Sequence, residues 1–117
     1  MPSFKDFEKI ADFLEEQSRV FPQSQREIAL RRAISTIYYG VFWEVRERLR
    51  KRSYKIRERQ PHSAILKIFV KDYPEIYPFL EELKRLREIA DYESREKITF
   101  AMFKRAKSLA KLILKGV

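Results

Sequence analysis

Apolar side chains recur at three- and four-residue steps through nearly the whole chain, and this spacing predicts helices. In the first segment the recurring apolar residues are Phe4, Phe7, Ile10, Ala11 and Leu14. Ser3 is the candidate N-cap of this first helix. Pro22 interrupts the pattern, and the stretch from Ser24 to Glu27 resembles a capping box that opens a second helix. We expect this second helix to span about residues 24–50.

Residues 51–61 are too basic and polar to bury, so we expect a loop or a frayed helix end that closes at Pro61. The pattern then predicts a short helix over about 62–71, a longer one over 74–91 with Pro74 at its start, and a last one over 95–115 between Ser94 as N-cap and Gly116 as C-cap. No segment alternates as a strand does. We therefore predict an all-α, single-domain protein over residues 1–117. Its architecture is an up-and-down antiparallel bundle of four main helices plus one short helix.

Composition excludes several kinds of site. The chain has 117 residues, 44% of them hydrophobic, which is enough for one domain with a core. It has no cysteine, so disulfides, thiolate zinc sites and thiol nucleophiles are excluded. The single histidine, His62, cannot form a multi-histidine metal centre, and two glycines cannot form a phosphate-binding loop. We expect no metal and no cofactor.

The longest weakly polar stretch, Ala33 to Trp43, is far shorter than the roughly 20 residues of a membrane span. The N-terminus lacks the apolar region of a signal peptide. We expect a cytoplasmic protein that does not bind membranes. The absence of asparagine and the 37% of charged residues favour a thermophilic source.

The net charge of +9 is concentrated in two blocks. Residues 44–59 hold eight basic and three acidic side chains, and residues 95–117 hold seven and one. The first block contains a predicted basic patch, formed by Arg46, Arg50, Lys51 and Arg52. Basic blocks attract polyanions such as nucleic acids. The alternative is a solvated helix face with i,i+4 ion pairs, for which Glu44 and Arg48 have the right spacing.

The second helix carries a group of aromatic residues. Tyr38 and Phe42 adjoin its apolar stripe and are predicted to pack inward. Tyr39 and Trp43 lie beyond the stripe, and we expect them to face another helix or a second subunit. Ser35, on the side of Tyr38 and Tyr39, is either a small packing residue or a polar group in a cleft.

Two local sequences resemble a known family. Residues Leu30 to Phe42 contain the pattern R-x-A-I-S-x-x-Y-Y-x-x-F, and Leu86 to Tyr92 match L-R-x-x-A-D-Y. Between them, His62 and Ser63 begin the short third helix. In this order and spacing they resemble small prokaryotic members of the HEPN family, the higher-eukaryote and prokaryote nucleotide-binding domains, over about residues 24–115.

The resemblance implies a helical bundle that forms a homodimer, since HEPN domains usually dimerise. Many HEPN proteins are RNases of toxin–antitoxin and other defence systems, with an arginine followed after four to six residues by a histidine. Arg87 matches the arginine, but Tyr92 stands where the histidine is expected. A tyrosine of ordinary pKa near 10 is a poor base at neutral pH, which argues against RNase activity.

Members with Asp-Tyr at this position resemble partners of minimal nucleotidyltransferases. This similarity implies binding of a nucleotide, of RNA or of such a partner, and Tyr92 is a conceivable acceptor in nucleotide transfer. Arg87 and Tyr92 are also the candidate catalytic residues. The candidate binding residues are Arg32, Ser35, Tyr39, Arg87, Asp91 and Tyr92.

Three hypotheses remain open at the level of sequence. The first is a non-enzymatic HEPN domain that binds a nucleotide or RNA together with a nucleotidyltransferase. The second is an active RNase that uses Tyr92 or His62 in place of the missing histidine. The third is a structural dimerisation module, in which Arg87 and Asp91 only form an i,i+4 ion pair. From its place after Pro61 we expect His62 to be exposed or to cap a helix.

Overall fold

The chain folds into five helices, and the computed structural model describes residues 2–57, 59 and 61–117. The helices are α1 (Phe4–Ser18), α2 (Gln23–Lys51), α3 (Pro61–Asp72), α4 (Tyr77–Tyr92) and α5 (Phe100–Gly116). The described residues contain no strand. The predicted all-α class is confirmed.

The four long helices alternate in direction. At one end of the α1–α2 pair the Phe4 amide donates to Glu44 (3.2 Å), and at the other Arg26 donates to the Ser18 carbonyl (3.1 Å). These two contacts show that α1 and α2 are antiparallel. Helix α5 runs parallel to α2. Arg48, near the end of α2, contacts the end of α5, while Glu27, near the start of α2, lies beside the segment that precedes α5. The up-and-down bundle with one short helix is confirmed.

Helix α2 is the central element, and it contacts all four other helices. Its predicted apolar stripe is buried along its whole length: Leu30, Ala33, Ile34, Ile37, Tyr38, Val41, Val45 and Leu49. Phe42 is also buried, as predicted. The burial of so many side chains on one helix explains why its bounds agree with the prediction to within one residue, since tertiary packing supplies most helix stability in proteins.

Helices α1 and α2 approach closely at Gly40. A Cβ atom at this position would lie 2.6 Å from the Cβ of Phe7, which is closer than carbon atoms can pack. Glycine is the residue that allows the two backbones this separation.

Two predicted helix caps are wrong. Helix α2 begins one residue before Ser24, after Pro22, and no side chain caps it. Glu27 does not close a capping box; it accepts instead from Arg31 and from the amide of Ile98. Helix α5 begins at Phe100 rather than at 95. Thr99, not Ser94, is its N-cap and accepts from the Met102 amide.

At the other helix boundaries, the predicted and observed residues differ by less than the five residues found at the start of α5. Helix α4 begins at Tyr77 rather than at Pro74, because residues 73–76 form a turn in which the Ile76 amide donates to the Tyr73 carbonyl (3.0 Å). Gly116 ends α5 from inside the helix, and its C-cap is Val117. Ser3 is confirmed as N-cap of α1, and its amide donates to Asp6 (2.8 Å).

Residues 52–57 and 59 are not helical, as predicted for the loop. Glu58 and Gln60 belong to the same predicted loop but lie outside the described residues. The expectation that this segment is too polar to bury is wrong at Ile56, which joins the core.

None of the helices described here is both long enough and apolar enough to cross a membrane.

Candidate functional site

The C-terminal end of α4 meets the middle of α2, and this contact brings together most of the predicted binding residues. Ser35 of α2 donates its hydroxyl to the Asp91 carboxylate of α4 (3.2 Å). The same Asp91 oxygen lies 3.8 Å from Nη1 of Arg87, one helical turn earlier. The predicted ion pair between Arg87 and Asp91 is therefore present, and Ser35 orients its acidic partner. Of the two predicted roles of Ser35, a small packing residue or a polar group in a cleft, the hydrogen bond to Asp91 supports the polar one.

Arg87 lies among three tyrosine rings. Its guanidinium carbon is 4.8 Å from the ring centre of Tyr38, 5.9 Å from that of Tyr39 and 5.6 Å from that of Tyr92. These distances are within the range of cation–π attraction. The Arg87 side chain is only 12% exposed, whereas Tyr92 is 73% exposed and Tyr39 43%. A largely buried cation thus lies beside two exposed aromatic side chains. We call Arg87, Tyr38, Tyr39 and Tyr92, with Ser35 and Asp91, the arginine cluster.

The hydrogen-bonding capacity of Arg87 is only partly used. Nη1 donates a long hydrogen bond to the Tyr92 hydroxyl (3.4 Å), but the buried Nε has no acceptor among the described residues. A buried donor without an acceptor is costly and uncommon in folded proteins. Hydrogen bonds within the fold therefore engage Arg87 only weakly.

His62 joins the arginine cluster from α3, where only the RNase hypothesis placed it. Its ring is parallel to that of Tyr38, with centres 6.0 Å apart, and its Nδ1 lies 3.2 Å from the Tyr38 hydroxyl. On the other side it packs against Phe42, with centres 4.2 Å apart. The expectation that His62 is exposed or caps a helix is wrong, since the ring is half-buried within an aromatic group. The sequence around Arg87 does not indicate that His62 lies near it, because His62 and Arg87 lie on different helices.

The titration properties of these groups follow from their surroundings. Burial lowers the pKa of His62, and the positive charges of Arg87 and Lys84 lower it further. His62 is therefore a neutral imidazole at neutral pH. Burial raises the pKa of Tyr38 to about 12, although Arg87 acts in the opposite direction. Tyr38 thus keeps its proton and is unsuited to act as a base.

Arg32 is the one predicted binding residue that lies apart from the arginine cluster. Its side chain is exposed, and only its backbone carbonyl accepts a hydrogen bond, from Thr36 (2.7 Å). Its neighbour Arg31 is the engaged residue. The Arg31 guanidinium donates to the carbonyls of Ile89 (3.0 Å) and Ala90 (2.9 Å), and it also bonds to Glu27.

Arg31 has a positioning effect that the sequence did not reveal. The last carbonyls of a helix have no partners within the helix. Through its bonds at Ile89 and Ala90, together with bonds to the carbonyls of Glu93 and Glu96, Arg31 fixes the end of α4 against α2. That end carries Asp91 and Tyr92.

The residues of the predicted basic patch at the end of α2 have different roles. Arg50 donates to the Ile56 carbonyl (3.1 Å), and Arg52 donates to the Val117 carbonyl (2.7 Å). These two side chains hold the neighbouring backbone in place. Lys51 is exposed. Arg46 lies over the Trp43 ring at 4.8 Å and is the member of the patch nearest to His62, with which it lines a cavity.

The chemistry available to this arrangement is limited and specific. Within residues 2–57, 59 and 61–117 there is no group of three or more acidic or histidine side chains that could hold a metal. The cluster offers a guanidinium with a free donor, aromatic faces and a neutral imidazole. Such groups bind phosphate, stack on planar rings and accept a proton.

Comparisons of the chain with models of protein families, with curated proteins and with solved structures found no match.

Proposed function

We propose that the protein is an HEPN-type helical domain that binds a nucleotide or RNA at the arginine cluster. The observation that carries this proposal is the largely buried Arg87 guanidinium, which lies beside the exposed side chains of Tyr39 and Tyr92. Phosphate binds a guanidinium through charge-assisted hydrogen bonds. A base can stack on the tyrosine faces.

The contacts of Arg87 support a binding role rather than a purely structural ion pair. Asp91 neutralises Arg87 only at 3.8 Å, which is beyond hydrogen-bond distance, and Ser35 occupies the same carboxylate oxygen. The arginine is thus held in position by aromatic contacts without being saturated. A residue that serves only to close a helix needs neither an unsatisfied buried donor nor accessible aromatic neighbours.

The resemblance to HEPN proteins extends this proposal to partners. It favours a homodimer in the cytoplasm and a separately encoded minimal nucleotidyltransferase as a further partner, in a system of the toxin–antitoxin type. Exposed apolar side chains of Ile28, Tyr39 and Tyr92 near the cluster suit such contacts. Light scattering of the purified protein tests the dimer. Co-expression with a neighbouring nucleotidyltransferase, followed by intact-mass measurement, tests that partner and any transfer to Tyr92.

Fluorescence anisotropy with a labelled single-stranded RNA of mixed sequence tests the binding site. In Arg87→Gln, we expect the affinity to fall at least about tenfold, as for the loss of a charged contact worth about 1.5 kcal/mol or more. Arg85→Gln is the matched control, because it removes the same charge from an exposed position on the same helix. Equal effects of the two substitutions, or no binding by the wild type at low salt, would refute the site.

A second candidate function is metal-independent cleavage of RNA, and the position of His62 favours it. The reaction would form a bond between the ribose 2′-oxygen and phosphorus and break the bond from phosphorus to the 5′-oxygen. His62 would accept the 2′-hydroxyl proton at Nε2. This requires the tautomer in which Nδ1 carries the ring hydrogen, so that the Nδ1–H group donates a hydrogen bond to the Tyr38 oxygen. The imidazolium would then return the proton to the departing 5′-oxygen, and Arg87 would stabilise the charge on the phosphate.

A cleavage assay separates this second function from binding alone. If the wild type cleaves RNA without added metal, His62→Asn should abolish the activity while RNA affinity changes little. Activity that survives unchanged in His62→Asn or in Arg87→Lys would exclude this mechanism.

A further inference from the structure

A small cavity adjoins the arginine cluster on the side of Tyr39 and His62. It measures about 180 Å³. Five of its seven lining residues are aromatic rings, and we call it the aromatic pocket: Phe7, Tyr39, Phe42, Trp43, Arg46, Pro61 and His62. Because Tyr39 and His62 belong to both, a ligand at Arg87 can extend directly into the aromatic pocket.

The walls of the aromatic pocket are held in place by the fold. The Trp43 indole donates to the Pro2 carbonyl (3.0 Å), and its ring centre is 6.3 Å from that of Phe7 on α1. His62 meets Tyr39 edge to face at 6.5 Å and packs on Phe42 at 4.2 Å. Rings contributed by three helices and fixed in this way form a preformed apolar slot.

Arg46 lines this slot, and Arg87 lies beside Tyr39, which forms part of its wall. In the described part of the chain, two buried side-chain polar atoms lack a hydrogen-bond partner, and they are the Nε atoms of Arg46 and Arg87. Arg46 Nε lies 3.8 Å from the Glu47 carboxylate, which is beyond hydrogen-bond distance. The aromatic pocket thus has one guanidinium in its lining and a second beside one of its walls, and guanidinium groups bind phosphate.

The size of the aromatic pocket restricts what can enter. Pockets that bury whole drug-sized ligands usually measure roughly 300–1,000 Å³. A space of about 180 Å³ suits a single ring system. Aromatic walls accept the face of any nucleobase, while guanidinium groups prefer phosphate.

We propose that the aromatic pocket binds one base of single-stranded RNA, while Arg87 and Arg46 bind the phosphates on its two sides. This inference rests on the proposed function and adds the substrate class: a base between two phosphates rather than a mononucleotide or a polyanion without bases. Arg46, which the charge pattern assigned to a diffuse basic patch, becomes the second phosphate contact.

Trp43 provides the measurement, because it is the single tryptophan of the chain and lines the aromatic pocket. Its emission is followed while the full-length protein is titrated with ribose 5-phosphate, adenosine 5′-monophosphate or the 5′-phosphorylated dinucleotide pApA. We expect both base-containing probes to quench the emission and ribose 5-phosphate to leave it unchanged. We also expect pApA to bind at least about tenfold more tightly than the mononucleotide, since a second charged contact is made.

Arg46→Gln isolates the second phosphate contact. It should weaken pApA about tenfold and change the mononucleotide affinity less than twofold, whereas Lys115→Gln, at an exposed position on α5, should change neither. Circular dichroism checks that the variants are folded.

The two proposals fail in distinguishable ways. RNA binding that depends on Arg87 while the Trp43 emission stays constant would refute the aromatic pocket alone. So would equal binding of ribose 5-phosphate and adenosine 5′-monophosphate. The absence of any binding, by anisotropy as well as by emission, would refute the proposed function together with this inference.

Discussion

The imidazole of His62 lies parallel to the phenol ring of Tyr38, with an angle of 3° between the planes and Nδ1 3.2 Å from the hydroxyl oxygen. Tyr38 also stacks with Arg87, whose guanidinium carbon is 4.8 Å from its ring centre. Tyr38 therefore connects the single histidine to the arginine of the candidate site. His62, which the RNase hypothesis named as a substitute for the missing histidine, therefore lies at the candidate site.

The first prediction concerns the pH dependence of stability. The lowered pKa of His62 means that the unfolded chain binds a proton below pH 6.5 more readily than the folded chain does. The free energy of unfolding should therefore decrease as the pH falls from 6.5 towards the lower pKa of the folded state. Above pH 6.5 this contribution to stability is fully present. Urea unfolding of the wild type and of His62→Phe between pH 5 and pH 8 measures the difference.

In His62→Phe the decrease just below pH 6.5 should disappear. The carboxylates of Asp6 and Glu82 also have lowered pKa values, but their contribution is lost only as the pH falls below their ordinary values of 3.8 and 4.5. The two effects thus occupy different pH ranges. An identical pH profile for wild type and His62→Phe would contradict the position assigned to His62.

A second prediction tests the hydrogen bond between Tyr38 and His62. Tyr38→Phe removes the hydroxyl and leaves Nδ1 without a partner, which should reduce the free energy of unfolding by about 1 kcal/mol. Tyr92→Phe is the control, because its hydroxyl is exposed and takes part in one long hydrogen bond. We expect that control to stay within about 0.5 kcal/mol of the wild type. Urea titration measures both, and equal losses would argue against the bond.

A third prediction compares two adjacent arginines of α2. Arg31→Ala removes the donors that satisfy the carbonyls at the end of α4, and it should reduce the free energy of unfolding by roughly 2–3 kcal/mol. Arg31→Lys should recover part of this loss, since an ammonium cannot reproduce the planar fork of donors. Arg32→Ala, at the exposed neighbour, should cost less than about 0.5 kcal/mol. Similar losses at Arg31 and Arg32 in thermal or urea unfolding would show that Arg31 does not hold α4.

A fourth prediction concerns the close approach of α1 and α2. Alanine has a higher helix propensity than glycine by about 1 kcal/mol, so propensity alone predicts that Gly40→Ala stabilises the protein. The overlap of the added methyl group with Phe7 predicts the opposite, a loss of about 1–3 kcal/mol. We expect net destabilisation, measured by urea unfolding. Phe7→Gly in the same chain removes both the Cβ and the Cγ that the added methyl group would meet and should relieve most of the overlap; additive effects of the two substitutions would contradict this contact.

The fold was predictable where one periodic pattern dominates. The buried stripe of α2 follows from spacing alone, because a helix with eight apolar residues on one face must bury that face. The helix starts at Ser24 and Ser94 were mispredicted because a local capping pattern competes with tertiary contacts. Glu27 bonds instead to Arg31 and Ile98, and Arg31 holds the carbonyls of the segment before α5.

The candidate site was predictable in part. Arg87, Asp91 and Tyr92 are neighbours on one helix, and Ser35 and Tyr39 share a face of another, so helical spacing groups each set. The meeting of the two sets depends on how α2 and α4 pack, which the resemblance suggested and the structure provides. Arg46 was not assigned to the site, and His62 only by the RNase hypothesis, because their approach depends on where α3 begins and on the pocket formed with Phe7 of α1.

The salt dependence of RNA binding tests the central claim most directly, because each phosphate contact releases condensed counterions. The slope of log K against log salt is measured for the wild type, Arg87→Gln and Arg85→Gln with one single-stranded RNA. We predict that Arg87→Gln reduces the magnitude of the slope by about 0.7–1, while Arg85→Gln leaves it unchanged. Equal slopes for the wild type and Arg87→Gln would show that Arg87 makes no phosphate contact and would contradict the account.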